Sequence, residues 1–539
     1  MLRICVFIFL VNGIGLSFEE PIEPSNLSHG YALSHSHMLP LLSLREKATE
    51  NLQNYAMVLT KQLSNIKLAI NKLENLLNRQ HSSNPYDTFK LARLLHFDWP
   101  NWLHYLKRKH GIEEIANLQD LRHKMPTKID YKEALYAIHR LQSTYRLDPA
   151  EMSIGLLRGK KYRFKKLSAL EYLVLGSVYY LDEKFQRAEQ WFQLALENYY
   201  KDQNSKKFDI FGCSNDFILK LLMKAAQSSG RYKAALGYAE KALILDQSHS
   251  FWQQQIPRLK NLSSIPEVLK PEHPNRYLFK PACLMEYPAK KHLRCHLLHS
   301  SPFLLLAPIK VEELNHDPPI KMYHNLINNE EILLLKTLSN PHLKRSMFYT
   351  SADKIIEDFS NLRTCKTMRL KDNVDHTLMN NLNERIMDAT GLSVKESEEL
   401  QITNYGIAGH LFEHEDASES TDSTFWTSGN RIITALYYMS DVEQGGETVF
   451  PYLDLRVRTQ KGSLLVWYNL LLNGTIDWRV THVSCPIIMG DKWIATKWLR
   501  EKPQMFIRPC PLKMKPPPEY SAKMVEDKFF KENSKQHFV

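Results

Sequence analysis

Apolar residues follow a helical spacing in the first part of the chain. Between residues 59 and 77 they recur at alternating intervals of four and three, at Leu59, Leu63, Ile66, Ile70, Leu73 and Leu77. This spacing is typical of a coiled-coil seam, but the run is short. It fits either self-association or an amphipathic helix packed on its own domain. Asn84-Pro85 ends the pattern, and helical spacing returns at 90–109 and 130–145.

Residues 168–249 contain two helix-turn-helix units that align with each other. The matching segments are LGSVYYLDEKFQRAEQWFQLALE and AAQSSGRYKAALGYAEKALILD. Small residues stand where the paired helices should approach closely: Gly176, Ala188, Ala195, Ala226, Ala235 and Ala242. This is the tetratricopeptide pattern. Two units are few, so flanking helices must cap them. Such units either form a concave surface for an extended peptide or serve as a scaffold without a ligand.

The pattern changes to strands in the last part of the chain. Prolines are frequent between residues 266 and 319, where helical spacing lapses, and a short helix is predicted at 330–338. Alternating apolar segments follow: ELQITNY, RIITALYYM, GSLLVWYNL and DKWIATKWL. Alternation with turn glycines indicates antiparallel β structure, a sandwich or a jelly roll. The predicted fold class is a multidomain α + β protein with a helical N-terminal half.

The chain is long enough for several domains. It has 539 residues, of which 43% are hydrophobic, so it is globular. Arg3, the apolar run 4–11 and the small residues at 15–17 predict an export signal. No other segment is long and apolar enough to cross a membrane. The predicted domains are a signal peptide at 1–17, a helical dimerisation domain at 18–150, a tetratricopeptide-like peptide-binding domain at 151–255, a proline-rich linker at 256–320, a β domain at 321–510 and a disordered tail at 511–539.

Charge does not indicate a nucleic-acid partner. The formal net charge is +11, and the densest basic run is 158–166. No nucleic-acid-binding motif accompanies it, so we expect a solvated loop and no nucleic acid.

The cysteines suggest an oxidising compartment. Of seven, Cys5 lies in the predicted signal, and the other six allow fifteen connectivities. Proximity in sequence favours Cys283–Cys295 and Cys485–Cys510, leaving Cys213 and Cys365 free and buried. Glycosylation sequons begin at Asn26, Asn261 and Asn473.

A candidate metal site lies in the β region. His414 and Asp416 are two residues apart, so they point to the same side of a strand. His482, from a distant strand, would complete two imidazoles and one carboxylate. This set leaves coordination positions open, which suits non-haem Fe(II).

The sequence segments around this candidate site resemble those of a known family. YGIAGHLFEHED, RIITALYYMSDVEQGGETVFP, KGSLLVWYNL and THVSCPIIMGDKWIATKWLREKPQMFIRPC look like the catalytic domain of collagen prolyl 4-hydroxylase α subunits. NPYDTFKLARLL and ALYAIHRLQSTYRLDP resemble the segments that precede that family's tetratricopeptide domain. The resemblance covers nearly the whole chain after the predicted signal.

The resemblance implies a double-stranded β-helix (jelly roll) with Fe(II) held by His414, Asp416 and His482. It further implies that Lys492 pairs with the distal carboxylate of 2-oxoglutarate and that Tyr405 bonds the same cosubstrate. Arg431 matches a family Arg implicated in substrate-side interactions, and we expect a catalytic role for Arg431 and Arg500. L-ascorbate would complete the cofactors.

Several positions depart from the family pattern. Leu411 replaces a usual Tyr, Glu413 and Glu415 replace Pro and Phe, and Arg500 replaces a His that assists cosubstrate orientation. In the second repeat, three residues stand where the family tends to present tyrosines to a proline-rich peptide: Leu221, Lys224 and Gln227. These departures bear on the substrate more than on the metal.

The resemblance implies a procollagen-proline 4-dioxygenase α subunit of the endoplasmic reticulum lumen. It would act on collagen-like peptides and pair with protein disulfide isomerase in an α2β2 tetramer, joined through the coiled-coil seam. The alternative is a non-catalytic or altered-substrate paralogue that binds peptides or the disulfide isomerase.

Overall fold

The computed structural model describes residues 30–77, 85–164, 166–201, 214–264, 266, 279–288, 290, 292–346, 363–418 and 427–508. The predicted signal, the predicted tail, Asn26, Cys213 and Cys510 lie outside these residues. Among the described residues, no helix has the length and apolarity that a bilayer crossing requires. The chain divides into two compact units, one of residues 37–127 and the other of the residues before 37 and from 128 onward.

The unit 37–127 is helical. Its long helix, Pro40–Leu77, contains the predicted seam, and the next helix already begins at Pro85, before the predicted return of helical spacing at residue 90. The other elements are the π-helical turn Leu94–Asp98 and the helices Pro85–Arg93, Trp99–Lys107 and Ile112–Arg122. Along the seam, Leu59, Leu63 and Ile70 are 40%, 53% and 46% exposed. These side chains are therefore not covered by the rest of their own unit.

The second unit starts with further helices. They are His35–Met38, which straddles the division, then Lys128–Tyr145, Pro149–Ser153, Ala169–Leu181, Phe185–Lys201, Asn215–Ser228, Tyr232–Leu245, Ser250–Ser263 and Phe279–Leu284, with a small hairpin of β1 (Leu156–Leu157) and β2 (Lys160–Lys161). Ala169–Leu181 begins at a capping box, in which Ser168 and Glu171 satisfy each other's backbone N–H groups. The two predicted helix pairs are present. Their alanines at 188, 195, 226, 235 and 242 are buried, as expected for close helix contact.

The rest of this unit is built on a nine-stranded sheet. The strands along the chain are β3 (Cys295–Leu298), β4 (Ile309–Asn315), β5 (Ile320–His324), β6 (Lys344–Arg345), β7 (Cys365–Leu370), β8 (Leu400–Tyr405), β9 (Leu411–His414), β10 (Arg431–Tyr438), β11 (Val442–Gly445), β12 (Thr448–Phe450), β13 (Leu455–Val457), β14 (Leu464–Tyr468), β15 (His482–Ser484), β16 (Ile487–Gly490) and β17 (Trp493–Arg500). The large sheet has the order β3-β4-β5-β14-β10-β17-β8-β7-β6, the small sheet β13-β12-β15-β9, and β11 pairs with β16. All pairs are antiparallel, as predicted.

Each face of the large sheet has its own core. Along β10, Ile433, Ala435 and Tyr437 pack in a cluster with residues of the helices Asn329–Ser339 and His376–Thr390. Tyr438 and Leu436 alternate to the opposite face and pack with side chains of the small sheet, such as Phe450. Period-two alternation along one central strand thus supplies both cores. Helices on one face and a second sheet on the other give the predicted jelly roll.

The predicted disulfides are wrong. The bond joins Cys283 to Cys485, 202 residues away, with a Cα–Cα distance of 5.7 Å. Cys295, the expected partner of Cys283, is free and exposed on the edge strand β3, whereas Cys365 is free and buried, as predicted. Cys485 directly follows β15, which pairs with β12, and the helix of Cys283 packs against β12. The fold, not sequence proximity, brings the two sulfurs together.

The sheet also extends into the interval predicted as linker. Strands β3 and β4 lie before residue 320, and the helix Pro302–Leu306 separates them. The prolines that suggested a linker lie outside these strands: Pro308 precedes β4, and Pro302 opens the short helix. Proline frequency therefore marks the connections here and not the whole interval.

Candidate metal and cosubstrate site

Two neighbouring strands of the small sheet present the predicted metal ligands. In the antiparallel pairing of β9 with β15, His414 lies directly opposite His482. Their ring centroids are 4.2 Å apart. Asp416, two residues after His414, places its carboxylate oxygens 3.8 Å from Nε2 of each histidine. One donor atom from each of the three residues lies within 4.8 Å of the others. The register of one strand pair therefore assembles the set.

Backbone carbonyls orient both imidazoles. His414 Nδ1 donates to the carbonyl oxygen of Phe412 at 2.7 Å, and His482 Nδ1 donates to that of Val480 at 3.1 Å. The unprotonated Nε2 of each ring then faces Asp416. Burial lowers the pKa of His414 to about 4 and also lowers the pKa of His482. Both rings are neutral at physiological pH, as metal ligands must be.

Asp416 is held as a carboxylate. Burial on its own would raise its pKa, but His482, His414 and Arg431, together with the hydrogen bond from Thr434, outweigh burial and hold the pKa below its usual value. Its Oδ2 accepts a hydrogen bond from Thr434 Oγ1 at 2.7 Å, and Thr434 accepts one from Asn469 Nδ2 at 2.9 Å. Two neutral imidazoles and one oriented carboxylate fit Fe(II) and leave room for further ligands.

Lys492 and Tyr405 lie in the same cavity, which has a volume of about 360 Å³. Lys492 is 1% exposed, and its Nζ donates to the Gly446 carbonyl at 2.6 Å and to Ser484 Oγ at 2.7 Å. The Nζ also lies 5.0 Å from the ring centroid of Tyr405. Burial lowers the pKa of Lys492 to about 7. A cation buried in this way suits an anionic ligand, because a carboxylate partner would favour its charged form.

The two predicted arginines share one carboxylate. Glu398 accepts four arginine hydrogen bonds: from Arg431 Nε at 2.5 Å and Nη2 at 2.7 Å, from Arg500 Nη2 at 2.6 Å and from Arg369 Nη1 at 3.0 Å. Arg431 also donates to the Asp416 carbonyl at 3.1 Å and lines the cavity. Arg500 instead donates to Gly429 and is not among the cavity-lining residues. Six of the seven predicted site residues therefore line one cavity. The seventh, Arg500, does not line it and contacts Glu398, which also binds Arg431.

Sequence reasoning missed several residues of the cavity. Ser484 lies two residues after His482, so strand alternation alone could have placed it on the same face. Thr434 lies three residues after Arg431, and only the β-bulge between Arg431 and Ile433, which local alternation does not predict, brings both to the cavity. Arg363 lines the cavity and donates through Nε to Cys365 Sγ at 2.8 Å. Nothing in the local pattern distinguishes Arg363 or Glu398 from their charged neighbours.

Two models of known protein families match this chain, one in its N-terminal half and one in its C-terminal half. A family model described as the prolyl 4-hydroxylase alpha-subunit, N-terminal region, matches residues 34–159, and one described as the 2OG-Fe(II) oxygenase superfamily matches residues 400–500.

Three curated relatives match over most of their length. Prolyl 4-hydroxylase subunit alpha-2 of Caenorhabditis elegans is 32% identical over 454 residues, covering 80% of this chain and 83% of the relative. The alpha-2 subunit of Gallus gallus is 30% identical, covering 88% and 93%. The alpha-1 subunit of Homo sapiens is 29% identical, covering 91% and 97%.

Proposed function

The chain belongs to the prolyl 4-hydroxylase alpha-subunit family, and from this premise we propose that it hydroxylates prolines in collagen-like peptides with Fe(II), 2-oxoglutarate and O₂. One observation carries the proposal. The two histidines and the aspartate that suit Fe(II) line the same cavity as the buried cation Lys492. A metal-binding set and an anion-binding group in one cavity are what such a dioxygenase requires.

His414, Asp416 and His482 would hold the metal. The activation of O₂, coupled to oxidative decarboxylation of 2-oxoglutarate, is the chemistry that Fe(II) would supply there. The protein's part is orientation: carbonyl groups fix both imidazoles, and Thr434 fixes the carboxylate. The site needs no side-chain nucleophile, because the residues bind and position the reactants.

Lys492 and Tyr405 would bind the distal carboxylate of 2-oxoglutarate. Burial raises the pKa of Tyr405, so its hydroxyl keeps its proton and can donate a hydrogen bond. Lys492 would add a charge-assisted bond. Arg431 lines the same cavity, its side chain is 25% exposed, and it is bonded to Glu398 and to the backbone of Asp416. We assign Arg431 to the substrate side of the site. Arg500 would act only through Glu398.

An assay of coupled turnover tests the proposal. The purified protein, with Fe(II), L-ascorbate and labelled 2-oxoglutarate, should release labelled CO₂ faster when a Pro-Pro-Gly repeat peptide is present, and the peptide should gain one oxygen per CO₂. Release that the peptide does not stimulate would contradict the collagen-like substrate. An absence of turnover in a protein that binds iron would favour the non-catalytic alternative.

One observation favours an altered substrate as the second candidate. Leu221 is 1% exposed, so it lies in the core of its helix pair and cannot stack on a peptide proline. Leu221 is thus not on the predicted peptide surface, whereas Lys224 and Gln227, at the other two positions, are half-buried and supply no aromatic ring there. A panel of proline-containing peptides outside the Pro-Pro-Gly repeat would identify this case, because one of them would stimulate CO₂ release more than the repeat does.

We further propose that the protein works in the endoplasmic reticulum lumen as an α2β2 assembly with protein disulfide isomerase, with the predicted domains except that part of the predicted linker belongs to the β domain. The predicted export signal and the exposed sequons at Asn261 and Asn473 support this location. The exposed seam residues Leu59, Leu63 and Ile70 support pairing of two α chains. Replacing Leu59 and Leu63 by Asp should separate the α chains in sedimentation experiments and leave each chain folded. Persistence of the α–α contact would exclude the seam.

A further inference from the structure

The segment 30–36 packs on the β domain, although it lies hundreds of residues from it in sequence. Ala32, Leu33 and Ser34 are 3%, 2% and 0% exposed. The carbonyl of Ala32 accepts a hydrogen bond from the Ile407 N–H at 3.0 Å, and its N–H donates to Asp130 Oδ1 at 3.2 Å. We call residues 30–36 the N-terminal clasp. Its backbone polar groups are satisfied by the folded unit, so it is part of that unit.

The clasp lies against the chain directly after Tyr405. A Cβ atom at Gly406 would lie 2.1 Å from the carbonyl oxygen of Ala32 and 2.6 Å from the carbonyl carbon of Leu33. These are backbone atoms, which cannot turn aside as a side chain can. Only glycine allows this approach, so the residue after the proposed cosubstrate-binding Tyr405 is shaped to receive the clasp.

Asn404 connects the clasp to the residues around Lys492. Its Oδ1 accepts from Ser34 Oγ at 2.5 Å and from the Ser36 N–H at 3.2 Å. Its Nδ2 donates to Asp491 Oδ1 at 2.8 Å and to the Lys492 carbonyl at 3.3 Å. Asn404 is fully buried. Both ends of its amide are therefore used, one by the clasp and the other by the turn that leads into Lys492.

Lys492, the last residue of the turn before β17, is also hydrogen-bonded to Tyr405. The Tyr405 N–H donates to the Lys492 carbonyl at 3.1 Å, so the two residues share one backbone contact. Asn404 donates to that carbonyl as well. A shift of Asn404 would therefore move both groups of the cosubstrate pair together.

We propose that the N-terminal clasp and Asn404 position Tyr405 and Lys492 for 2-oxoglutarate. Ser34 and Asn404 are positioning residues, since neither lines the cavity. Binding groups must be held within a fraction of an ångström for full affinity. Loss of the Ser34 hydroxyl removes the shortest of the clasp hydrogen bonds to Asn404 Oδ1, so the buried amide is held less firmly. The inference rests on the proposed function, because it assigns the clasp to that cosubstrate site.

The test compares Ser34→Ala and Asn404→Ala with a matched control in the full chain with its partner subunit. Ser229→Ala is the control, because Ser229 is also buried and its hydroxyl bonds a backbone carbonyl, that of Ala226, far from Asn404 in sequence. One buried hydrogen bond is worth about 1 kcal/mol, or roughly a fivefold change in affinity. We expect the KM for 2-oxoglutarate to rise about fivefold or more in the two clasp variants. The kcat and the peptide KM should stay within about twofold, and the control should change none of these constants.

A second readout does not need turnover. In the metal-free protein, hydrogen–deuterium exchange at 400–406 and 490–493 should be faster in Ser34→Ala than in the wild type or in Ser229→Ala. Direct titration with 2-oxoglutarate should show the same weakening as the KM. Unchanged exchange, or equal changes in the cosubstrate and peptide constants, would overturn the proposal. If the wild type binds 2-oxoglutarate but turns over no peptide, the proposed function fails and these two measurements still decide the role of the clasp.

Discussion

Two buried lysines near the end of the chain have different environments. Lys492, just before β17, is 1% exposed and donates only to uncharged oxygens among its hydrogen-bond partners described above. Lys497, within β17, is 0% exposed and pairs with Asp372 at 3.0 Å. Five residues apart on an extended chain, they point to opposite faces of the sheet. One lysine serves the cavity and the other serves the helix-covered side.

Replacing each lysine by Ala separates the two roles. Lys492→Ala should raise the KM for 2-oxoglutarate roughly 10–100-fold, because a hydrogen bond to a charged group is worth about 1.5–3 kcal/mol. Lys497→Ala should lower the melting temperature and leave that KM within about twofold. Steady-state kinetics and thermal denaturation measure both effects. Equal effects of the two variants on the KM would refute the assignment of Lys492.

The pKa of Lys492, lowered by burial to about 7, predicts a pH dependence. Below pH 7 the side chain is charged and attracts the cosubstrate; above pH 7 it loses its proton. The kcat/KM for 2-oxoglutarate should therefore fall up to tenfold per pH unit above about 7. Lys492→Arg, whose guanidinium stays charged, should abolish that fall. A wild-type profile that is flat to pH 9 would contradict the prediction.

At the scale of residues, the sequence predicted those site residues whose positions are set by their spacing or by the family pattern. His414, Asp416 and His482 converge, because strand alternation and one antiparallel register suffice to place them. The environment of Arg500 was not predictable in the same way. Its carboxylate partner, Glu398, stands 102 positions earlier in the chain and is adjacent to another glutamate, Glu399. The fold decides which of the two acids faces the arginine: Glu398 lies beside β17, where its N–H donates to the Trp498 carbonyl at 3.0 Å.

At the scale of elements, the helix pairs show how a small residue sets a contact distance. Gly176, in the helix Ala169–Leu181, leaves no room for a Cβ atom, which would lie 2.6 Å from the ring of Phe192. A Cβ atom at Gly237, in the helix Tyr232–Leu245, would meet no atom within 4 Å in the described residues beyond its own helix backbone and chain neighbours. The predicted repeat pattern identified Gly176, because closely packed helices carry small residues at their contact. It could not show the open space around Gly237, which depends on what the fold places nearby.

These two glycines predict opposite effects of the same substitution. Gly176→Ala should destabilise the protein by about 1–3 kcal/mol, because the added methyl group overpacks the helix pair. Gly237→Ala should stabilise it by about 0.5–1 kcal/mol, since Ala restricts the unfolded chain and favours the helix. Urea denaturation followed by circular dichroism measures both. A destabilised Gly237→Ala would mean that its surface is covered in the folded protein.

At the scale of the whole molecule, the helical region and the β domain within the second unit are tied by long-range contacts. Tyr145 donates its hydroxyl to the Pro486 carbonyl at 2.6 Å, and Arg140 donates to the Ala408 carbonyl at 3.0 Å. The disulfide Cys283–Cys485 adds a covalent link close to these contacts in sequence. Helices and strands were readable from local periodicity. This set of ties was not, because each joins residues hundreds of positions apart.

At the scale of the whole molecule, the disulfide predicts how the loss of individual cysteines changes the stability of the protein. Cys283→Ser and Cys485→Ser should each destabilise the protein by about 2–5 kcal/mol, the usual cost of losing a native disulfide. Cys295→Ser should change the stability by less than about 0.5 kcal/mol, because this thiol is free and exposed. Denaturant titration and mass spectrometry of unreduced peptides check both points. A Cys283–Cys295 peptide in the native protein would contradict the structure.

The same bond has a consequence for the order of events during synthesis. Cys283 leaves the ribosome shortly before Cys295, but its native partner follows only 202 residues later, roughly 10–40 s at about 5–20 residues per second. During that interval Cys295 is the nearest thiol in the newly made chain. A premature Cys283–Cys295 bond is thus the kinetic competitor of the native one, and any such bond must be released by thiol exchange before Cys283 can bond Cys485.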